Sequence, residues 1–272
     1  MSRITETFSE LEYENEGALI AYLTVGYPRP SYTQRLVEAL IKGGADMVEL
    51  GIPFSDPIAD GPTIQKAITT SLANGARPLD ALKAATQIHE KYDTPLVLMT
   101  YFNPVYRIGL PTFLRRAKKS GVSGLIIPDL PAEESEEYKK ECLAAGIDTI
   151  FLASPSTQPD RLKRILRQTS GYLYLISLYG VTGIRSTITA PELDLVKRYA
   201  TILKDTVPLA VGFGISGPDH VKQIIRAGAG GAIVGSAFIQ TIERSSGAIS
   251  QKARRLERLA RAMKNATIGT RR

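Results

Sequence analysis

The 272-residue chain has a single cysteine, only two histidines and no apolar run approaching the roughly 18 residues that mark a membrane span. Each shortage removes a class of function. Cys142 alone cannot form an intrachain disulfide, so a reducing compartment is expected, the cytoplasm by default. His89 and His220 both fall on predicted helices among polar neighbours and are expected at the surface. A metal-dependent aldolase would therefore lack its ligands, and no metal is expected. No lysine ends a predicted strand, since Lys66 and Lys222 fall on helices, which argues against Schiff-base chemistry. The apolar run Ala18 to Val25 follows Glu10, Glu12, Glu14 and Glu16, the wrong charge for a signal peptide, and reads as a buried strand.

The net charge of +7 is unevenly placed. Between Gln251 and Arg272 stand Lys252, Arg254, Arg255, Arg258, Arg261, Lys264, Arg271 and Arg272 against Glu257, which accounts for all of it. A basic stripe without interleaved aromatics fits the solvated face of a terminal helix better than a nucleic-acid surface. Leu256, Leu259, Ala260 and Met263 recur at helical spacing and would form its buried side.

What is present is an alternation. Eight short β-rich runs are predicted as strands: Ala18 to Val25, Met47 to Gly51, Leu96 to Tyr101, Gly124 to Ile127, Thr149 to Leu152, Tyr172 to Ser177, Leu209 to Phe213 and Ala232 to Gly235. Between them lie amphipathic stretches including Tyr32 to Lys42, Leu79 to Lys91, Ala132 to Ala145, Asp160 to Gln168, Glu192 to Leu203 and Pro218 to Ala227. Strands buried on both faces and separated by helices imply a parallel sheet. Eight such units in about 250 residues favour an α/β fold closed as a single (β/α)8 TIM barrel over an open doubly wound sheet. No linker divides the chain. The reading is one domain over residues 1–272, with an N-terminal helical cap over 1–16, extra short helices, and a disordered basic tail over 266–272.

A barrel keeps its chemistry on the loops after its strands, and the unusual residues fall there. Glu49 interrupts the apolar strand Met47-Val48-Glu49-Leu50-Gly51, facing away from Val48 and Leu50. An ionised carboxylate in such a place is costly unless paired or working. Either backbone or an arginine satisfies it, or burial raises its pKa toward neutrality and makes it a proton carrier. In the loop Pro53 to Pro62, Asp56 before Pro57 is turn chemistry, whereas Asp60 either caps the next helix or joins Glu49 as a second carboxylate.

Three glycine clusters follow the sixth, seventh and eighth strands: Gly180-Val181-Thr182-Gly183, Gly212-Phe213-Gly214 and Gly235-Ser236. Backbone amides there can converge on a phosphate, with Ala237 to Thr241 as the short helix that caps it. Gly212 to Gly217 also reads Gly-x-Gly-x-x-Gly, but a dinucleotide fold needs several βαβ elements after that motif and one strand remains. The sixth loop, with Gly180, Gly183 and Arg185, has a hinge composition expected of a lid. What survives is metal-free acid–base carbon–carbon chemistry on a phosphate ester.

Five segments carry a family resemblance: Leu23-Thr24-Val25-Gly26-Tyr27-Pro28, the block Glu49 to Gln65, Pro128 to Ser135, Gly180 to Gly183 and Gly212 to Ser216. In this order, over nearly the whole chain, they resemble the signatures of tryptophan synthase alpha subunits. The resemblance implies a carbon–carbon lyase in tryptophan biosynthesis that splits indole-3-glycerol phosphate into indole and glyceraldehyde-3-phosphate. Glu49 would be the general acid–base and Asp60 would accept the indole N–H. Gly183, Gly214, Gly235 and Ser236 match the phosphate site; Tyr22, Ile64, Met99, Ile126, Tyr174 and Phe213 match the pocket wall; Thr182 matches the lid residue that closes toward Asp60. Tyr22 stands where Phe is more usual, and Tyr179 is bulkier than the Ser or Arg of bacterial members. The family also implies a beta subunit carrying pyridoxal phosphate in an α2β2 heterotetramer, and no cofactor in this chain. Docking candidates around the mouth are Pro53, Asp56, Asn103, Pro104 and Tyr106. The rivals are another barrel acting on a phosphorylated sugar or indole precursor, and a non-catalytic activating subunit.

Overall fold

Eight strands, β1 (Ala18–Thr24), β2 (Met47–Gly51), β3 (Leu96–Met99), β4 (Val122–Ile126), β5 (Asp148–Ala153), β6 (Leu173–Leu175), β7 (Leu209–Val211) and β8 (Gly231–Val234), each pair in parallel with the next. Pairing of β8 with β1 closes the barrel. The structure is a computed structural model that describes residues 1–176, 187–204, 206–212 and 214–269. Around the barrel run α1 (Arg3–Tyr13), α2 (Thr33–Lys42), α3 (Pro62–Ala73), α4 (Pro78–His89), α5 (Phe102–Ile108), α6 (Leu110–Lys119), α7 (Glu136–Ala144), α8 (Pro159–Gln168), α9 (Ala190–Leu203), α10 (Pro218–Arg226), α11 (Ser236–Arg244) and α12 (Ile249–Asn265). None of the described helices is long and apolar enough to cross a membrane.

Strand alternation sorts the core into two shells. Leu19, Val48, Leu50, Leu98 and Leu125 face the helices, while Ile20, Met47, Val97, Ile126, Ile150 and Tyr172 fill the bore. Helix α1 closes the floor. Ser2 caps it by accepting the Thr5 amide at 3.2 Å, and Ile4, Phe8 and Leu11, at spacings of four and three, insert their side chains into the bore cluster. Burying each contributes about 1.5 to 3 kcal/mol.

The stretch after the third strand is helical. Phe102 to Ile108, which carries the docking candidates Asn103, Pro104 and Tyr106, forms α5, with Pro104 tolerated because a first-turn amide has no intrahelical acceptor to lose. The Phe102 amide donates to Asp129 Oδ1 at 2.8 Å, and Gly109, at φ 87°, breaks the run before α6. The capping helix Ala237 to Thr241 is longer than expected, spanning α11.

The tail is also corrected. Residues 266–269 are not disordered: Thr267 is buried, its carbonyl accepts the Gly17 amide at 3.2 Å, and Ile268 bridges to Glu16. Leu256, Ala260 and Met263 are buried on one face of α12, which packs chiefly on α2 and α11, and Lys264 sits between Glu16 and Asp46 at 2.9 Å from each. Thus one of the basic residues assigned to the solvated stripe serves as an inward ion-pair partner. Residues 270–272 lie outside the described residues.

Candidate active site

The end of β2 points Glu49 into the bore because its neighbours Val48 and Leu50 belong to the outer shell. The side chain is fully buried. Its Oε1 accepts a hydrogen bond from Tyr172 Oη at 2.5 Å, and its Oε2 has no partner among the described residues. Burial pushes the Glu49 carboxyl up to about 7, against the opposing pull of the Tyr172 hydroxyl. No backbone amide or arginine satisfies it among the described residues, so of the two readings open at the sequence level the proton carrier fits its surroundings.

Asp60 is held differently. Its Oδ2 accepts from Tyr101 Oη at 2.7 Å, while that same phenol accepts the Ala59 amide at 3.0 Å and its ring stacks on Phe54 at 5.3 Å. The helix that follows, α3, begins on Gly61 with no side-chain cap, so Asp60 is not its cap. Gln65 Nε2 fixes the loop from beneath by donating to the Asp60 carbonyl at 2.7 Å. Burial raises the Asp60 pKa, and the Tyr101 hydrogen bond works against it.

Between the loops lies a cavity of about 370 Å³, within the range of small-molecule sites. Of the expected wall residues, Tyr22, Ile64, Met99 and Tyr174 line it. Ile126 does not; it is fully buried in the bore cluster beneath. Gly214, Gly235 and Ser236 line its far end. Gly235 precedes α11, whose first amides have no intrahelical acceptor, so the helix presents donors and the positive end of its dipole there. Thr182, Gly183 and Phe213, with the whole sixth loop from 177 to 186, lie outside the described residues. No group of three or more metal-ligating side chains occurs among the described residues.

Several neighbours carried no sequence signal. Tyr172 reads as an ordinary strand aromatic and is 123 positions from the carboxylate it holds. Arg161, on the first turn of α8, lines the cavity and pairs with Glu133 at 3.3 Å. His220 is not a surface residue: it is buried, and its Nδ1 lies 3.1 Å from the Gly214 carbonyl and 3.3 Å from Ser216 Oγ, bracing the glycine loop after β7. Its helical position among polar residues concealed this, because the polar neighbour that matters is the loop itself. His89 is exposed, as expected.

The whole chain has relatives of the same length and fold. The family model described as tryptophan synthase alpha chain matches residues 8–268. The chain is 45% identical over 266 residues to the tryptophan synthase alpha chain of Methanosarcina mazei, covering 98% of this chain and 94% of that one. It is 47% identical over 256 residues to the alpha chain of Methanopyrus kandleri, covering 94% and 91%. Among solved structures, Mycobacterium tuberculosis tryptophan synthase superposes with a TM-score of 0.89 at 34% identity, covering 98% of both chains. The Pyrococcus furiosus protein, described in work on mutual activation of the α2β2 complex, gives 0.83 at 40% identity, covering 92% and 98%. With a closed eight-stranded barrel, Asp60 on the wall of the cavity, Glu49 buried in the bore and relatives matched over nearly their full length, the chain belongs to the tryptophan synthase alpha chain family.

Proposed function

We propose that this chain cleaves indole-3-glycerol phosphate into indole and glyceraldehyde-3-phosphate by acid–base catalysis, Glu49 being the proton carrier. The observation that carries the proposal is Glu49 itself: a buried carboxylate with one oxygen unpartnered among the described residues, held by a neutral phenol, raised to about 7 and paired in register with Tyr22, which lines a cavity of substrate size. A group titrating near neutrality both donates and accepts protons at working pH. Protonated Glu49 gives its proton to C3 of the indole ring. Asp60, steadied by Tyr101, accepts the ring N–H and stabilises the indolenine that results. The carboxylate then removes the proton of the glycerol hydroxyl beside the scissile bond; the C–C bond breaks, its electrons return to the ring, and the hydroxyl carbon leaves as the aldehyde. Glu49 ends protonated, as it began. Gly214, Gly235 and Ser236, with Gly183 from the sixth loop, hold the phosphate through backbone amides, each bond worth about 1.5 to 3 kcal/mol. Thr182 closes toward Asp60, and Phe213 completes the wall.

Replacing Glu49 by Gln keeps size and hydrogen bonding and removes proton transfer. Cleavage should fall about 10²- to 10⁴-fold with ligand binding retained. A variant keeping more than about a tenth of the wild-type rate, far above that range, would unseat Glu49.

A pyridoxal-phosphate-dependent beta subunit is the proposed partner, in an α2β2 assembly as described for the Pyrococcus furiosus protein. Around the mouth Asp56, Asn103 and Tyr106 are exposed, while Pro53 and Pro104 are buried and shape the surface from below. Ile58, exposed on the loop that carries Asp60, adds apolar area that the sequence reading passed over. Titrating beta subunit into the protein should raise the cleavage rate; no complex and no change in rate would leave a stand-alone lyase.

A further inference from the structure

Two tyrosines hold the carboxylates and two others line the cavity without touching them. Tyr172 and Tyr101 are the holders. Tyr22 and Tyr174 are the liners. Each liner lies over a glycine at the end of the neighbouring strand: a Cβ on Gly51, the last residue of β2, would fall 2.1 Å from Tyr22 Oη, and one on Gly212, just past β7, would fall 2.4 Å from the Tyr174 ring. The glycines are therefore seats for the phenols.

The register fixes where the Tyr22 hydroxyl sits. Tyr22 is paired with Glu49 and Thr24 with Gly51, so the ring rises from the level of the carboxylate to the level above it. Its other edge faces Gly235, with ring and Cβ atoms 3.2 to 3.5 Å from a Cβ built there. The ring thus spans from the β8 loop to the end of β2, and its hydroxyl lies against Gly51 and Thr24, one layer above Glu49. Burial raises the Tyr22 pKa, the negative Asp60 raises it further, and Glu49 adds to both, so the hydroxyl stays protonated and is no base. Its partner is Thr24 Oγ1 at 3.3 Å, a long contact that either oxygen can donate. A neutral donor loosely held in a cavity wall has capacity left for a ligand.

We propose that Tyr22 is a specificity-determining residue: its hydroxyl bonds a polar substituent on the aromatic ring of the substrate, so that the site takes hydroxylated indoles in preference to their methyl isosteres. The inference rests on the lyase reading above, which places the ring between Glu49 and Asp60. One net hydrogen bond gives a preference of about threefold to tenfold.

The test runs the condensation of indoles with glyceraldehyde-3-phosphate, the reverse of cleavage, on wild type and Tyr22→Phe. The substrates are the 4-, 5-, 6- and 7-hydroxyindoles and the methylindoles substituted at the same positions. For each protein the readout is the ratio of kcat/KM for hydroxyl over methyl at each position. At one position or more the wild-type ratio should exceed the variant ratio by about threefold to tenfold, the range of one hydrogen bond, with the difference in KM. Ratios equal in the two proteins at all four positions would overturn the proposal. If wild type condenses no indole at all, the lyase reading is what fails. Calorimetric binding of the same hydroxyl and methyl pairs to both proteins then decides Tyr22, equal preferences again overturning it.

Discussion

Asp46 and Glu49 stand three residues apart, one just before β2 and the other within it, both acidic, and the fold treats them in opposite ways. Asp46 accepts the Leu19 amide at 2.7 Å and has Lys264 2.9 Å from Oδ1 and 3.0 Å from Oδ2, so a full positive charge and a backbone dipole answer its own. Glu49 receives one phenol hydroxyl, and its second oxygen has nothing among the described residues. Burial raises both pKa values, but at Asp46 the lysine pulls back strongly, whereas at Glu49 the opposing pull is a neutral hydrogen bond. The floor of the barrel uses its carboxylate to anchor the last helix. The mouth keeps its carboxylate undersupplied, the condition in which a proton is readily exchanged.

The sharpest way to break this contrast is to neutralise each site. Glu49→Gln should cost about 10²- to 10⁴-fold in cleavage while the fold survives, and circular dichroism together with substrate-analogue binding would verify survival. The same variant tests the energetic side. A carboxyl raised from 4.5 to about 7 binds more protons folded than unfolded, so the wild type loses stability as pH rises from about 4.5 through 7. At about 1.4 kcal/mol for each unit, the loss is on the order of 3 kcal/mol above pH 7. Urea denaturation at pH 5 and pH 8 should therefore show Glu49→Gln gaining on wild type at the higher pH; parallel curves at both would mean the carboxyl is not raised.

At the floor the sign reverses. Lys264→Met strands Asp46 and Glu16 and should destabilise by about 2 kcal/mol, less than the 3 to 5 kcal/mol of a fully buried pair because these groups keep some solvent contact. Activity per folded molecule should be unchanged, which thermal denaturation beside active-site titration would establish. Smallest is Tyr172→Phe. Removing the hydrogen bond that stabilises the charged form should raise the Glu49 pKa by about one unit. The matching limb of the pH–rate profile would move toward alkaline values; an unmoved limb would deny Tyr172 its positioning role.

How much of this was legible in the chain depended on whether the informative neighbours were local. Glu49 announced itself, because a charge inside an apolar alternation is an anomaly visible within five residues. The eight strands were visible for the same reason, their boundaries shifting by at most two positions, as where the apolar run continued past the last ladder bond at Tyr101 and Val25. Asp60 remained ambiguous because capping and catalysis ask for the same residue before a helix; the start of α3 on Gly61 without a side-chain cap removes the capping reading, and its partner Tyr101 lies 41 positions away. Tyr172, Gly51 and His220 were silent, since each is unremarkable in its own segment and acquires meaning from a partner on another strand or loop. The α5 helix, only seven residues long and carrying Pro104 in its first turn, was not among the predicted helices.

Helix α1 has a last consequence, for traffic rather than stability. With Ile4, Phe8 and Leu11 seated under the bore, and Phe8 packed against Tyr172 at 5.9 Å between ring centres, α1 stops the lower end of the barrel among the described residues. A molecule held in the cavity above has that floor beneath it and the loops after the strands around it, so the rim is its path in and out. A neighbour seated on that rim would stand on the path.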